Sequence, residues 1–163
     1  MRPKYLLLLF SLLTILVTGY ILSNSMKNAE ESHAQSNAVM EVVEPVLAPV
    51  IRQETEEATE EATVRKLSFL VRKSAHFIEY TALGICVGGF SAALFAVKKR
   101  RIPALPVGMC VLVACCDEYI QSFVGRTSSI KDVALDLTGS LFGLLLAAAA
   151  IWLLQYKRGG TTQ

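Results

Sequence analysis

Charge is segregated along this chain, and four long stretches carry none. Residues 5–22 form an uncharged run of 18, residues 80–97 another of 18, residues 102–116 one of 15, and residues 137–156 one of 20. A helix rises about 1.5 Å per residue, so about 20 apolar residues cross the roughly 30 Å hydrocarbon core of a bilayer. Composition agrees: 53% of the 163 residues are hydrophobic and only 18% are charged, against about 25% in a typical soluble domain. The expected fold is therefore all-α, a polytopic membrane protein built as a bundle of four transmembrane helices. A net charge of +2 is too small for a nucleic-acid partner. The cysteines Cys86, Cys110, Cys115 and Cys116 form no C-x-x-C pair and lie in apolar runs. That excludes a secreted disulfide scaffold and a zinc knuckle.

Orientation follows from the basic residues. Arg2 and Lys4 precede the first run, Lys98, Lys99, Arg100 and Arg101 separate the second from the third, and Lys157 and Arg158 follow the fourth. Placing these groups inside, as the positive-inside rule asks, leaves both termini cytoplasmic. All 14 acidic residues then fall on the other side, nine of them glutamates between Glu30 and Glu61. The expected organisation is a first transmembrane helix at 1–23, an acidic extracytoplasmic loop at 24–65, a membrane domain of three helices at 66–156 and a cytoplasmic tail at 157–163. The first run reads as an uncleaved signal anchor. It is longer than the usual signal-peptide core of about 7–15 residues, and Ser32-His33-Ala34, weakly like a cleavage site, lies far beyond it.

The embedded polar groups can be placed by height. Glu79 sits roughly 27 Å from the cytoplasmic end of its run, and Asp136 roughly 30 Å from the end of the fourth. The third run covers only roughly 22 Å, so its helix must continue past Asp117 and Glu118 towards Val124 to cross. Three helices thereby bring titratable groups to one level. A carboxylate in a membrane helix is costly unless it faces the bundle interior and finds a partner. Lys73, His76 and Tyr80 share one helix face, with Glu79 flanking it; Asp117 and Gln121 share another. Asp132, Asp136, Gly139 and Gly143 form a stripe on the fourth helix. Gly139 and Gly143, like Gly84 and Gly88, read G-x-x-x-G, a pattern that lets helix backbones approach closely in lipid. The loop Gly125-Arg126-Thr127-Ser128-Ser129-Ile130-Lys131 adds cations and hydroxyls above, with Ser128 or Ser129 as the cap of the last helix.

Two blocks carry a resemblance. Arg72-Lys73-Ser74-Ala75-His76-Phe77-Ile78-Glu79-Tyr80-Thr81-Ala82-Leu83-Gly84 resembles the first block of the VanZ-like family. Asp117-Glu118-Tyr119-Ile120-Gln121-Ser122-Phe123-Val124-Gly125-Arg126, followed by Ser128, Asp132, Val133, Asp136 and Gly139, resembles the second. The family is bacterial and membrane-embedded, and is named for a member linked to resistance to the glycopeptide antibiotic teicoplanin. The resemblance implies a bacterial plasma-membrane location. Its shared polar positions match Lys73, His76, Glu79, Tyr80, Asp117, Glu118, Gln121, Arg126, Asp132 and Asp136. Val124 stands where members often carry proline, and Asp136 where many carry asparagine.

The expected function is binding or modification of an anionic lipid or cell-envelope precursor at the outer leaflet. Arg72, Lys73, Arg126 and Lys131 would hold phosphate, a group that suits arginine's planar fork. Tyr80, Gln121, Ser128, Asp132 and Asp136 would complete the binding set. The acid–base candidates are His76, Glu79, Asp117 and Glu118, with His76 pairing to Glu118 or Asp117. No serine or cysteine nucleophile stands out, so whether the site is an enzyme stays open. A metal held by His76, Glu79, Asp117 and Glu118 would lack a second histidine; no metal or other cofactor is expected. The alternative is a non-catalytic scaffold, because buried polar side chains also glue membrane helices together at about 0.6–2 kcal/mol per contact.

Overall fold

The computed structural model describes residues 2–28, 31, 32, 34, 38–45, 60–100, 102–126 and 129–159. It contains four long helices: α1 (Pro3–Ser25), α2 (Glu60–Lys98), α3 (Leu105–Phe123) and α4 (Ile130–Gly159). Residues 38–45 are also helical and bury Met40. No strand occurs among the described residues, as an all-α reading requires. The glutamate-rich stretch at 54–61 falls almost entirely outside them, as does Ser128.

Local chemistry sets the helix ends. Lys99 closes α2 in the left-handed region (φ 59°), and its N–H donates to the Phe95 carbonyl at 2.8 Å, satisfying an acceptor that the helix end would leave open. Proline in the first turn of α3 costs no hydrogen bond there. Gly125 (φ 74°) ends α3, and the Arg126 N–H returns to the Gln121 carbonyl at 3.3 Å. Ser129 caps α4 as expected, its hydroxyl accepting from the Lys131 N–H at 3.2 Å.

Three helical segments are long and apolar enough to cross a membrane: Pro3–Ser25, Val64–Lys98 and Ile130–Tyr156. The sequence reading expected four. The difference lies in α3, whose 19 residues reach about 28 Å. Asp117, Glu118 and Gln121 dilute the apolar character of its C-terminal part. All three of those side chains are buried inside the bundle.

The most extensive pairing joins α2 to α4, followed by α1 to α2. Its closest approach is at Gly84 and Gly143. A Cβ on Gly84 would collide with the Ser140 carbonyl oxygen and lie 3.0 Å from the Gly143 Cα; one on Gly143 would collide with the Thr81 carbonyl oxygen. The G-x-x-x-G stripes are thus the contact that lets two backbones touch. Ile21, Tyr80, Leu83, Val87, Cys110 and Ala114 form the buried core, drawn from α1, α2 and α3. Large apolar side chains face outward instead: Leu8, Leu12, Ile15 and Leu16 on α1, Leu145 and Trp152 on α4. A run of exposed leucine and isoleucine along one helix is the surface that a helix long and apolar enough to cross a membrane would turn to lipid.

Candidate functional site

The polar groups predicted from helix spacing converge at one end of the bundle. α1 ends there, α2 passes through, α3 ends there and α4 begins there. Tyr80 of α2 is fully buried, and its hydroxyl donates to Asp117 Oδ2 of α3 at 2.8 Å. Gln121 Nε2, one turn further along α3, donates to Asp117 Oδ1 at 3.0 Å. The Ser25 hydroxyl of α1 also reaches Asp117 Oδ1, sharing its single proton between that carboxylate and the Ile21 carbonyl at 2.8 Å. Asp117 therefore ties three helices together with 0% exposure, which is how a buried carboxylate is made tolerable.

His76 sits between two acids. Its Nδ1 lies 3.5 Å from Asp136 Oδ1 and 4.0 Å from Asp117 Oδ2. Asp136 is 1% exposed, yet neither of its oxygens receives a hydrogen bond from a described residue. His76, Asp117 and Asp136 bring one ligand-capable atom each within 4.8 Å of one another. These are the described residues whose geometry could hold a metal ion.

The other predicted residues divide into two groups. Lys73 pairs with Asp132 of α4, both side chains about one quarter exposed, so this cation neutralises Asp132 and not the buried acids. Glu118, the other base considered for His76, turns instead to the start of α4. Its Oε2 accepts from the Ser129 N–H at 2.9 Å, and Oε1 is buried without a hydrogen bond from a described residue. Glu79 is held by α1: Asn24 Nδ2 donates to Glu79 Oε1 at 3.0 Å, and Lys27 Nζ donates to Asn24 Oδ1 at 2.9 Å.

Beside this cluster lies an open cavity of about 240 Å³. Asn24 and Ser25 of α1, Arg72, His76 and Glu79 of α2, and Arg126 after α3 line its polar side. Neither Arg72 nor Arg126 has an ion-pair partner among the described residues. His76 is the hinge of the arrangement, because it lines the cavity and also touches the buried carboxylates beneath. Ser25 bonds to a carboxylate and a carbonyl, not to the imidazole, so it is not set up as a histidine-activated nucleophile.

Asn24 and Ser25 were missed by sequence reasoning. They lie just beyond the apolar run at 5–22, in an uncharged stretch that continues to Met26, and look like an ordinary helix boundary. The depth arithmetic used for the other helices would have placed them, since Ser25 stands roughly 30 Å along α1 from its start.

A sequence model of the VanZ/LLP1 family matches residues 10–153, which takes in most of α1 and all of α3. No curated protein matches the chain, and no solved structure does.

Proposed function

The chain belongs to the VanZ/LLP1 family, and from that premise we propose that its cavity binds, or helps to modify, the anionic headgroup of a lipid or cell-envelope precursor. In this reading α1 is retained, all four long helices cross the bacterial plasma membrane, and both termini are cytoplasmic. The cavity then opens at the outer leaflet. The observation that carries the proposal is that Arg72 and Arg126 both line the cavity, without carboxylate partners among the described residues, together with His76 and Glu79. Two guanidinium groups beside a cavity, with no carboxylate on them among the described residues, favour a ligand that supplies negative charge. Arginine's planar fork matches two phosphate oxygens at once. Glu79 offers an acceptor for a hydroxyl of the same headgroup, and His76 can give or take a proton at the cavity floor.

Four crossings require α3 to span despite its acids. Support comes from their burial: Asp117, Glu118 and Gln121 face the bundle and not lipid, which is the arrangement that makes intramembrane acids affordable. The link to teicoplanin enters through the family resemblance and is a phenotype to be measured by susceptibility of a deletion strain.

The test is binding of an anionic lipid to the full-length protein in nanodiscs, read by native mass spectrometry. Arg126→Ala is expected to lose bound phosphatidylglycerol, and Arg126→Lys to retain part of it. Equal binding by wild type, Arg126→Ala and Arg72→Ala would remove the headgroup reading. It would leave the scaffold reading, in which the polar cluster only fastens the helices.

A further inference from the structure

We propose that His76, Asp117 and Asp136 form a binding site for one divalent transition-metal cation, Zn²⁺ or Mn²⁺, at the floor of the cavity. Sequence spacing suggested a different set, His76 with Glu79, Asp117 and Glu118, and rejected it. The structure separates that set and assembles another. Glu79 is engaged by Asn24, and Glu118 by the start of α4. The carboxylate that joins His76 and Asp117 comes from α4.

Three observations carry the site. The first is geometric: Nδ1 of His76 is 3.5 Å from Asp136 Oδ1 and 4.0 Å from Asp117 Oδ2. Nitrogen and oxygen ligands bind such an ion at about 2.0–2.2 Å, so neighbouring ligand atoms sit about 3.0–3.5 Å apart, and inward shifts below about 1 Å close the set. The second is the state of Asp136. It is 1% exposed; Oδ1 has only His76 Nδ1 at 3.5 Å, one of the proposed ligands, and Oδ2 receives no hydrogen bond from a described residue. Buried carboxylate oxygens are normally satisfied, and an exception points to a missing partner. The third is charge. Two carboxylates at 0% and 1% exposure face one imidazole, and the nearby Lys73 is committed to Asp132. A divalent cation balances two carboxylates while leaving the imidazole neutral, the form in which it ligates.

The surroundings fit a ligand sphere. Tyr80 and Gln121 donate to Asp117 at 2.8 and 3.0 Å, fixing the carboxylate as outer groups do around metal ligands. His76 opens to the cavity, which gives the ion a path in and leaves positions for water or a ligand oxygen. One histidine with two carboxylates suits a borderline ion better than Mg²⁺ or Ca²⁺, which prefer all-oxygen shells. The site stands independently of the headgroup reading, since it needs no lipid.

The experiment uses the full-length protein in detergent, stripped with chelator and titrated with Mn²⁺ and then with Zn²⁺ in competition. One equivalent of Mn²⁺ is expected, with electron-spin-echo couplings to a histidine nitrogen. Asp136→Asn keeps the side chain's shape and is expected to abolish that nitrogen-coupled signal while helicity and monodispersity stay unchanged. Tyr80→Phe, which leaves all three ligands in place, is expected to weaken binding roughly tenfold. Should Asp136→Asn misfold, Tyr80→Phe and the nitrogen coupling in the wild type still decide. A stoichiometry near zero overturns the proposal. So does a bound Mn²⁺ with no nitrogen coupling, or one equally bound by Asp136→Asn, since either places the ion elsewhere, as on the acidic stretch at 54–61.

Discussion

Replacing Tyr80 with phenylalanine removes one oxygen from the middle of the bundle and leaves its shape intact. That oxygen donates to Asp117 Oδ2 at 2.8 Å, and both residues are 0% exposed. A hydrogen bond to a charged acceptor is worth about 1.5–3 kcal/mol in water-soluble proteins. Between membrane helices the measured values are smaller, averaging about 0.6 and reaching about 1.7 kcal/mol. Asp117 keeps Gln121 and Ser25 as donors, but both of them reach Oδ1. Oδ2 would be left with His76 at 4.0 Å, too long for a hydrogen bond. The buried oxygen stays unsatisfied, so the loss falls at the upper end of the membrane range, about 1–2 kcal/mol. Reversible unfolding in mixed micelles, followed by helicity with chelator present throughout, measures it. A double-mutant cycle with Asp117→Asn should return a coupling of about 1 kcal/mol. If Tyr80→Phe unfolds within about 0.3 kcal/mol of wild type and the cycle is additive, the bond does not support the bundle.

Two further outcomes follow from the packing and the surface. Gly84→Ala should destabilise by about 1–3 kcal/mol in the same assay, because its Cβ meets the Ser140 carbonyl and the Gly143 Cα. Gly108→Ala, with nothing within 4 Å of the new Cβ, should be neutral or stabilising by up to about 1 kcal/mol; equal losses at both positions would contradict the α2–α4 crossing. Lys73→Ala should cost under about 1 kcal/mol, since its ion pair with Asp132 is about one quarter exposed and solvent screens it. A larger loss would mean that Lys73 neutralises the buried acids after all.

Much of the bundle was legible in the sequence because membrane helices announce themselves through length and missing charge. Helical spacing placed Lys73, His76 and Tyr80 on one face, and the glycine stripes marked close-packing faces on α2 and α4, which the structure brings against each other. Periodicity describes one helix at a time, however, and does not choose among partners at the same height. Sequence reasoning offered Asp117 or Glu118 as the partner of His76; the rotation of α3 sends Glu118 to the Ser129 N–H and Asp117 inward, and Asp136 of α4 comes nearer still, at 3.5 Å. The part played by α1 was hidden for another reason. Asn24 and Ser25 are uncharged, so a charge-based search passed over them, although they bond to Glu79 and Asp117.

The central claim is that the polar cavity opens at the outer face of the membrane. Its most direct test is sided labelling of single cysteines in a chain whose four native cysteines are replaced by serine or alanine. Ala75→Cys lines the cavity, and Lys99→Cys closes α2 at its opposite end. In intact cells a membrane-impermeant maleimide should label position 75 and reach position 99 only after permeabilisation. Labelling of position 99 in intact cells, with position 75 protected until the membrane is opened, would contradict the account.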